Sequence, residues 1–359
     1  MDIKKLDKLN NWFENPQETL LIAGPCSAES EKQVMDTARK IAASGQATLF
    51  RSGIWKPRTR PGSFEGIGET ALPWLQKVKK ETGMLVTTEV ANAYHTEQAL
   101  KHDIDVLWVG ARTTVNPFGV QEIAEVLRGV DIPVLVKNPI HPELALWEGA
   151  LERFSRVGID KLAAIHRGFY NPNSAPLRNL PHWEIAAELK LHHKDLPIIN
   201  DPSHISGRRD LISKICQIAL DLNFDGFIIE THNDPSVALS DAAQQVTPES
   251  LEQIMNSLQK RPETIEDASF KNQLNDLRKE LNYIDDELLK VIAKRVAMVD
   301  KIEDYKSLNN VSYYELERLS EIMISRKEKG ESIGLNPAFV EDIYRILFRN
   351  SLRLESEIE

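Results

Sequence analysis

Thr19-Leu20-Leu21-Ile22-Ala23-Gly24-Pro25-Cys26-Ser27 is the stretch from which the fold can be read. Its apolar residues do not alternate with polar ones, as a strand buried on both faces requires. The run then breaks into glycine, proline and two side chains with chemistry. Seven more runs repeat this design: Ala47–Gly53, Met84–Val90, Val106–Ala111, Pro133–Asn138, Lys161–Gly168, Pro197–Asp201 and Gly226–His232. Stretches of helical period lie between them, among them Glu31–Ser44, Glu122–Arg128 and Arg208–Leu222. A doubly wound open sheet shows the same alternation. The count of eight, and the polar residues crowded at the C-terminal ends of most runs, favour a (β/α)8 TIM barrel.

After Pro262 the strand runs stop. Phe270–Lys306 reads as one long helix, with further helices near Tyr314–Lys329 and Asn336–Glu357. Asn309–Asn310, Gly330, Gly334 and Pro337 mark the turns. The division expected is a barrel over 1–258, a linker over 259–269 and a small all-α three-helix domain over 270–359. A chain of 359 residues, 42% hydrophobic and 27% charged, has room for both. No apolar run approaches the ~18–20 residues of a membrane helix, and Met1–Asn15 lacks a signal-peptide core. Cys26 and Cys216 cannot build a disulfide framework, so a cytoplasmic protein is expected. Lys and Arg number 44 against 54 Asp and Glu, a net charge of −10. That balance argues against nucleic-acid and membrane partners, and any anion must be met by local cation clusters.

Barrel active sites form in the loops after the strands. Those loops put Arg51, Lys56, Arg58, Arg112, Lys137 and Arg167 around one rim. Each alone reads as a solvated strand-end charge, but six on successive strands point to dianionic ligands. Arg forks suit phosphate and carboxylate, and Lys supplies a compact charge or a proton. Cys26, His204, Glu230 and Asp241 form a second set. Alone, Cys26 reads as a small buried residue and His204 as a packed one. Together a thiolate, an imidazole and two carboxylates suit Mn2+, Fe2+, Co2+ or Zn2+, with room for a substrate oxygen.

The motifs Gly24-Pro25-Cys26-Ser27, Lys56-Pro57-Arg58-Thr59, Gly110-Ala111-Arg112, Lys137-Asn138, His166-Arg167-Gly168 and Asp201-Pro202-Ser203-His204 carry a resemblance. In this order the chain resembles the 3-deoxy-D-arabino-heptulosonate 7-phosphate (DAHP) synthase family over nearly all of Thr19–Asn256. A sister family that uses arabinose 5-phosphate shares the barrel but carries Ala-Asn-Arg where this chain has Pro57-Arg58. The resemblance implies a metal-dependent, aldol-like condensation of phosphoenolpyruvate with erythrose 4-phosphate. It implies Cys26, His204, Glu230 and Asp241 as metal ligands, with Mn2+ the first choice. Arg112, Lys137 and Arg167, with Ala111 beside them, would hold the phosphate of phosphoenolpyruvate, and Arg51 and Lys56 would lie near its carboxylate. Arg58 and Thr59 would meet erythrose 4-phosphate, and Asp201 its hydroxyls. Lys56, crowded by cations and so expected to give up a proton readily, is the candidate acid, and Glu89 would position water. About 18 residues precede the first run, so no N-terminal regulatory domain is expected. Feedback would then act through the C-terminal domain or through oligomerisation.

The long helix carries a heptad seam. Leu274, Leu281, Leu288 and Ile302 form one series, and Leu277, Ile284, Val291, Met298 and Tyr305 the other. Arg295 interrupts the first series, and a buried Arg needs an anion. Thirty-seven residues span about 55 Å, too long for two short helices to cover, so a partner chain is expected. Lys306 lies near the face of Arg295. Arg278 is roughly 25 Å from Arg295 along the helix and would reach the other chain's site. Phe270–Ile358 resembles the all-helical chorismate mutases, which are intertwined three-helix dimers. The resemblance implies rearrangement of chorismate to prephenate, with Arg278, Arg295, Lys306 and Glu355 catalytic and Arg318 and Ser351 binding substrate. It also implies a homodimer, with a tetramer open, and feedback by prephenate or chorismate. Glu315 stands where the bacterial pattern has Asp, Leu319 where it has Glu, and Glu355 where many members have Gln. A Glu must be protonated to donate to the ether oxygen, so mutase activity favouring lower pH is expected. The alternative is a ligand-sensing dimerisation module without turnover.

Overall fold

Eight parallel strands close into a barrel in the first of two units, Met1–Arg261, among the residues that the computed structural model describes. Those are residues 3, 6–14, 17–56, 62, 64–172, 176–262, 267–312 and 315–351. The strands are β1 (Leu20–Gly24), β2 (Leu49–Arg51), β3 (Leu85–Val90), β4 (Val106–Val109), β5 (Val134–Lys137), β6 (Leu162–His166), β7 (Ile198–Asn200) and β8 (Gly226–Glu230). Each pairs with its neighbours in sequence, and β1 closes on β8 with Leu20 opposite Gly226 and Gly24 opposite Glu230.

The two faces of these strands are buried in different places. Leu20, Ile22, Leu49, Val106, Trp108, Leu135, Ala163, Ile165, Ile199 and Ile228 form one cluster that Trp12 joins. Their spacing of two puts them on the inward faces, where branched side chains fill the barrel. Leu21, Phe50, Val86, Leu107, Val136, Ala164, Phe227 and Ile229 belong to the larger core under the helices. Two residues beyond the inward cluster, the same phase reaches Arg51, Lys137, Asp201 and Glu230, and on β3 it reaches Glu89, four residues beyond Leu85. The apolar filling of the barrel therefore gives way to charge at its C-terminal end.

The longer helices of the barrel are α1 (Glu31–Ser44), α2 (Leu72–Thr82), α3 (Ala93–Lys101), α4 (Pro117–Val126), α5 (Leu144–Arg156), α6 (Trp183–His192), α7 (Ile212–Asp221) and α8 (Pro248–Ser257). Side-chain caps set several starts: Ser30 accepts from the Gln33 amide, Asn92 from His95, Asn116 from Gly119 and Thr247 from Ser250. The Asn116 cap and Pro117 start α4 ahead of the Glu122–Arg128 stretch read from periodicity. Between β6 and α6 lies an antiparallel ribbon that sequence did not reveal, Phe169–Tyr170 paired with Asn179–Leu180. Among the described residues no helix is long and apolar enough to cross a membrane.

The second unit, Pro262–Glu359, holds α9 (Ala268–Leu308), α10 (Leu316–Ser332) and α11 (Pro337–Ser351). Asp267 caps α9 by accepting from the Ser269 and Phe270 amides, so the helix starts within the stretch read as linker. α10 and α11 pack where Gly330 faces Val340; a Cβ there would come within 2.5 Å of Val340 Cγ2. The α9 seam is bare: Leu277, Leu281, Ile284, Leu288, Val291, Met298 and Ile302 are each half exposed or more.

Candidate active site

Strands β1, β7 and β8 deliver the four expected metal ligands to one place. Cys26 Sγ, a Glu230 oxygen and an Asp241 oxygen lie within 4.8 Å of one another. His204 Nε2 is 3.7 Å from Glu230 Oε1 and 4.0 Å from Asp241 Oδ2. Its Nδ1 lies 2.8 Å from Asp201 Oδ2, so Nδ1–H is donated there and the Nε2 lone pair faces the other three. Around this donor set stand cations. Arg51 Nη2 is 3.2 Å from Glu230 Oε1, Arg178 Nη1 is 3.0 Å from Asp241 Oδ1, and Lys56 Nζ donates to Cys26 Sγ at 3.2 Å. A thiol, an imidazole lone pair and two carboxylates gathered at this spacing fit a divalent ion.

Beside it opens a cleft of about 280 Å³. Lys56, Glu89, Ala111, Arg112, Lys137 and Arg167 line it, together with Arg178, His204 and Asp241. Several of these side chains are held by their neighbours. Lys137 Nζ donates to Asp201 Oδ2 at 2.8 Å, and Arg167 Nη1 donates to Asn179 Oδ1 at 3.0 Å. Asn138 accepts from the Arg167 amide and donates to the Gly168 carbonyl, tying the end of β5 to the loop after β6. Trp108, fully buried, packs behind these side chains. The Arg51 guanidinium sits 5.0 Å from its ring centroid, and its Nε1 donates to Glu89 Oε2 at 3.1 Å. A Cβ at Gly110 would meet Glu89 Oε1 at 2.2 Å, so any side chain there would push the Glu89 carboxylate aside.

Burial pushes the Cys26 thiol up to about 12, with Glu230 and Asp241 adding to the rise and Lys56 opposing it. Burial holds the His204 imidazole below its ordinary value, against the pull of Asp201. It works against charge on Glu230, but His204 and Arg51 keep that carboxyl below its usual range. Burial lowers Arg167 to about 10, and Arg178 and Arg112 add to the fall.

Three expectations change here. Lys56 does not give up its proton more readily: burial lowers its pKa, but Cys26, Glu89 and Glu230 outweigh that and raise it. Arg51 and Asp201 lie beneath the cleft rather than on its wall, at 1% and 0% exposure. Arg51 serves Glu230, and Asp201 serves His204 and Lys137. Arg58 and Thr59 lie outside the described residues. Trp108, Arg178 and Asn179 are site residues that sequence reasoning missed. Trp108 could have been found, since it shares the inward phase of its strand. Arg178 and Asn179 lie in a connection with no periodic signal.

In the helical unit a cleft of about 700 Å³ is lined by Arg295, Lys306, Arg318, Arg345 and Arg349, with Glu303, Glu315, Leu319 and Phe348. Lys306 pairs with Glu315, and that bond holds the Glu315 carboxyl below its usual value. The Arg295 guanidinium lies 5.7 Å from the Phe348 ring centroid. Five cations around one cleft suit a dicarboxylate. Arg345 and Arg349, four apart on one face of α11, were not read from sequence. Arg278 is exposed on α9 and does not line the cleft. Glu355 and the Ser351 side chain lie outside the described residues.

The sequence model of the DAHP synthetase I family matches residues 14–267, and that of chorismate mutase type II matches residues 277–356. A phospho-2-dehydro-3-deoxyheptonate aldolase from Thermotoga maritima is 31% identical over 240 residues, 67% of this chain and 69% of that protein. A 2-dehydro-3-deoxyphosphooctonate aldolase from Polaromonas naphthalenivorans is 30% identical over 273 residues, 67% of this chain and 90% of that protein. The crystal structure of the Thermotoga maritima DAHP synthase superposes with a TM-score of 0.60 at 30% identity, covering 66% of this chain and 67% of the other.

Proposed function

The chain belongs to the DAHP synthetase I family and carries a chorismate mutase type II domain, and on that premise we propose how its two clefts work. The barrel joins phosphoenolpyruvate to erythrose 4-phosphate, and the helical unit turns chorismate into prephenate. The observation that carries the first half is the donor set Cys26, His204, Glu230 and Asp241 opening onto Lys56, Arg112, Lys137 and Arg167. We assign residues 1–258 and 270–359 to the two activities, with 259–269 joining them.

Arg112, Arg167 and Lys137 bind the phosphate of phosphoenolpyruvate and offset the repulsion between two phosphorylated substrates. Arg58 and Thr59 select the aldose phosphate. A divalent ion, Mn2+ in our reading, supplies Lewis acidity toward the aldehyde oxygen. C3 of the enol phosphate attacks the aldehyde carbon, and Lys56, an ammonium at neutral pH, delivers its proton to the oxygen that becomes the hydroxyl. Glu89, fixed by the Trp108 indole, orients the water that adds at C2, after which the C2–O bond to phosphate breaks.

In the helical cleft the Arg and Lys side chains hold the two carboxylates of chorismate in the folded conformer, and the pericyclic step needs no nucleophile. The bare α9 seam supports a homodimer in which Arg278 reaches the partner's cleft. Prephenate or chorismate bound there would then feed back on the barrel. Leu319 in the cleft wall, where the bacterial pattern has Glu, favours a second reading of this unit as a sensor without turnover. Purified full-length protein with Mn2+ should consume phosphoenolpyruvate with erythrose 4-phosphate and not with arabinose 5-phosphate, and should consume chorismate. Preference for the five-carbon sugar would overturn the barrel assignment, and chorismate binding without loss would leave the sensor.

A further inference from the structure

Arg178 immediately precedes the second strand of the ribbon after β6 and Asn179 begins it, and each grips a different part of the site. Arg178 Nη1 reaches Asp241 Oδ1 at 3.0 Å and Gln244 Oε1 at 2.6 Å, and Gln244 Nε2 in turn donates to Glu230 Oε2 at 2.7 Å. Asp241 thus turns one oxygen to Arg178 and the other toward Cys26 Sγ, 3.5 Å away. Asn179 faces the other way. Its Oδ1 accepts from Arg167 Nη1 at 3.0 Å, and its Nδ2 donates to the His204 carbonyl at 2.6 Å. One dipeptide therefore touches two metal-ligating residues and the arginine that meets phosphate.

The ribbon beneath them is well anchored. The Tyr170 amide donates to the Ile140 carbonyl at 2.8 Å, the Arg178 amide to the Ser206 carbonyl at 3.3 Å, and Asn171 Nδ2 to the Leu177 carbonyl at 2.7 Å. The backbone that carries Arg178 is thus fixed, and its guanidinium can turn without moving the ribbon. Arg178 also lines the substrate cleft, and its side chain is 43% exposed.

We propose that Arg178 and Asn179 form a positioning bridge through which the occupancy of the metal centre sets the affinity of the cleft for a phosphate group. The inference rests on the metal centre proposed above. While Asp241 carries uncompensated charge, Arg178 is committed to it. A dication on Cys26, His204, Glu230 and Asp241 takes over that charge and frees the Arg178 guanidinium to turn to an anion in the cleft beside Arg167. Binding free energies are reciprocal, so a phosphate compound in the cleft must tighten metal binding by the same factor. Part of that factor is direct attraction between dication and anion, which does not involve Arg178.

The test is Mn2+ binding to the full chain, followed by the electron paramagnetic resonance signal of free Mn2+, with and without saturating phosphoenolpyruvate. Phosphoenolpyruvate should tighten Mn2+ binding about tenfold in the native chain, within the usual range for coupled sites. In Arg178→Met, and in Arg178→Lys should the first variant fail to fold, the factor should fall at least threefold. A merely structural role would weaken Mn2+ binding equally in both conditions and leave the factor unchanged. Saturable Mn2+ binding with the native factor in a folded variant overturns the bridge alone. No saturable Mn2+ site in the native chain overturns the metal-centre reading and the bridge with it.

Discussion

Asp201 holds His204 by Nδ1 at 2.8 Å, and the same carboxylate oxygen accepts from Lys137 Nζ at 2.8 Å. One buried acid therefore fixes the tautomer of a proposed metal ligand and the position of a cation that we propose binds phosphate. Carboxylates behind metal-bound histidines are worth about 10–100-fold in metal affinity. Asp201→Asn should weaken Mn2+ binding by that factor and raise the KM for phosphoenolpyruvate as well. Binding titrations and steady-state kinetics check both, and an unchanged Mn2+ affinity would remove Asp201 from the metal site.

The Cys26 thiol, pushed up to about 12 by burial, is protonated throughout the neutral range. A metal ion that binds the thiolate must displace that proton. The His204 imidazole is already neutral there and releases none, because burial lowers its pKa. Metal affinity should accordingly rise about tenfold per pH unit between pH 7 and 9. Cys26→Ser, whose hydroxyl remains protonated, should bind more weakly and lose this slope. Direct binding at several pH values measures it.

His166 is fully buried, its Nε2 donating to the Pro181 carbonyl at 2.5 Å, and burial lowers its pKa to about 4. Its unfolded value is about 6.5, so between pH 4 and 6.5 the unfolded chain binds a proton that the folded barrel does not. Stability therefore falls as pH drops through 6.5, by about 2 kcal/mol at pH 5 from this one group. Urea unfolding of native protein and His166→Gln at pH 7 and pH 5 should give a shallower loss in the variant. Equal losses would mean that His166 accepts a proton without unfolding.

The eight strands were legible because burial on both faces leaves continuous apolar runs, which glycine and polar residues end. The site was legible as far as it hangs on strand ends, since closure of a barrel brings those ends together whatever the details. Trp108 is legible as an inward residue from the phase of its strand, but its contacts with Arg51 and Glu89 are tertiary and leave no mark in the sequence. Arg178 and Asn179 reach the site through a ribbon whose pairing is tertiary. The sign of the Lys56 shift was misjudged for a related reason. Sequence counts the cations nearby, whereas the shift depends on how close Cys26, Glu89 and Glu230 come.

The two clefts should separate cleanly under chelation. Among the described residues the metal-ligand cluster lies in the barrel, whereas the helical cleft presents Arg295, Lys306, Arg318, Arg345 and Arg349. A pericyclic rearrangement is accelerated by holding the folded conformer and placing cations where charge develops, and neither task needs a metal. EDTA should abolish loss of phosphoenolpyruvate and leave chorismate turnover intact. Arg295→Ala should cut mutase kcat/KM by about 10²–10³ while synthase turnover stays within twofold. Loss of both activities in EDTA would show that the helical cleft depends on the barrel's metal, and a mutase indifferent to Arg295→Ala would move the chorismate site away from this cleft.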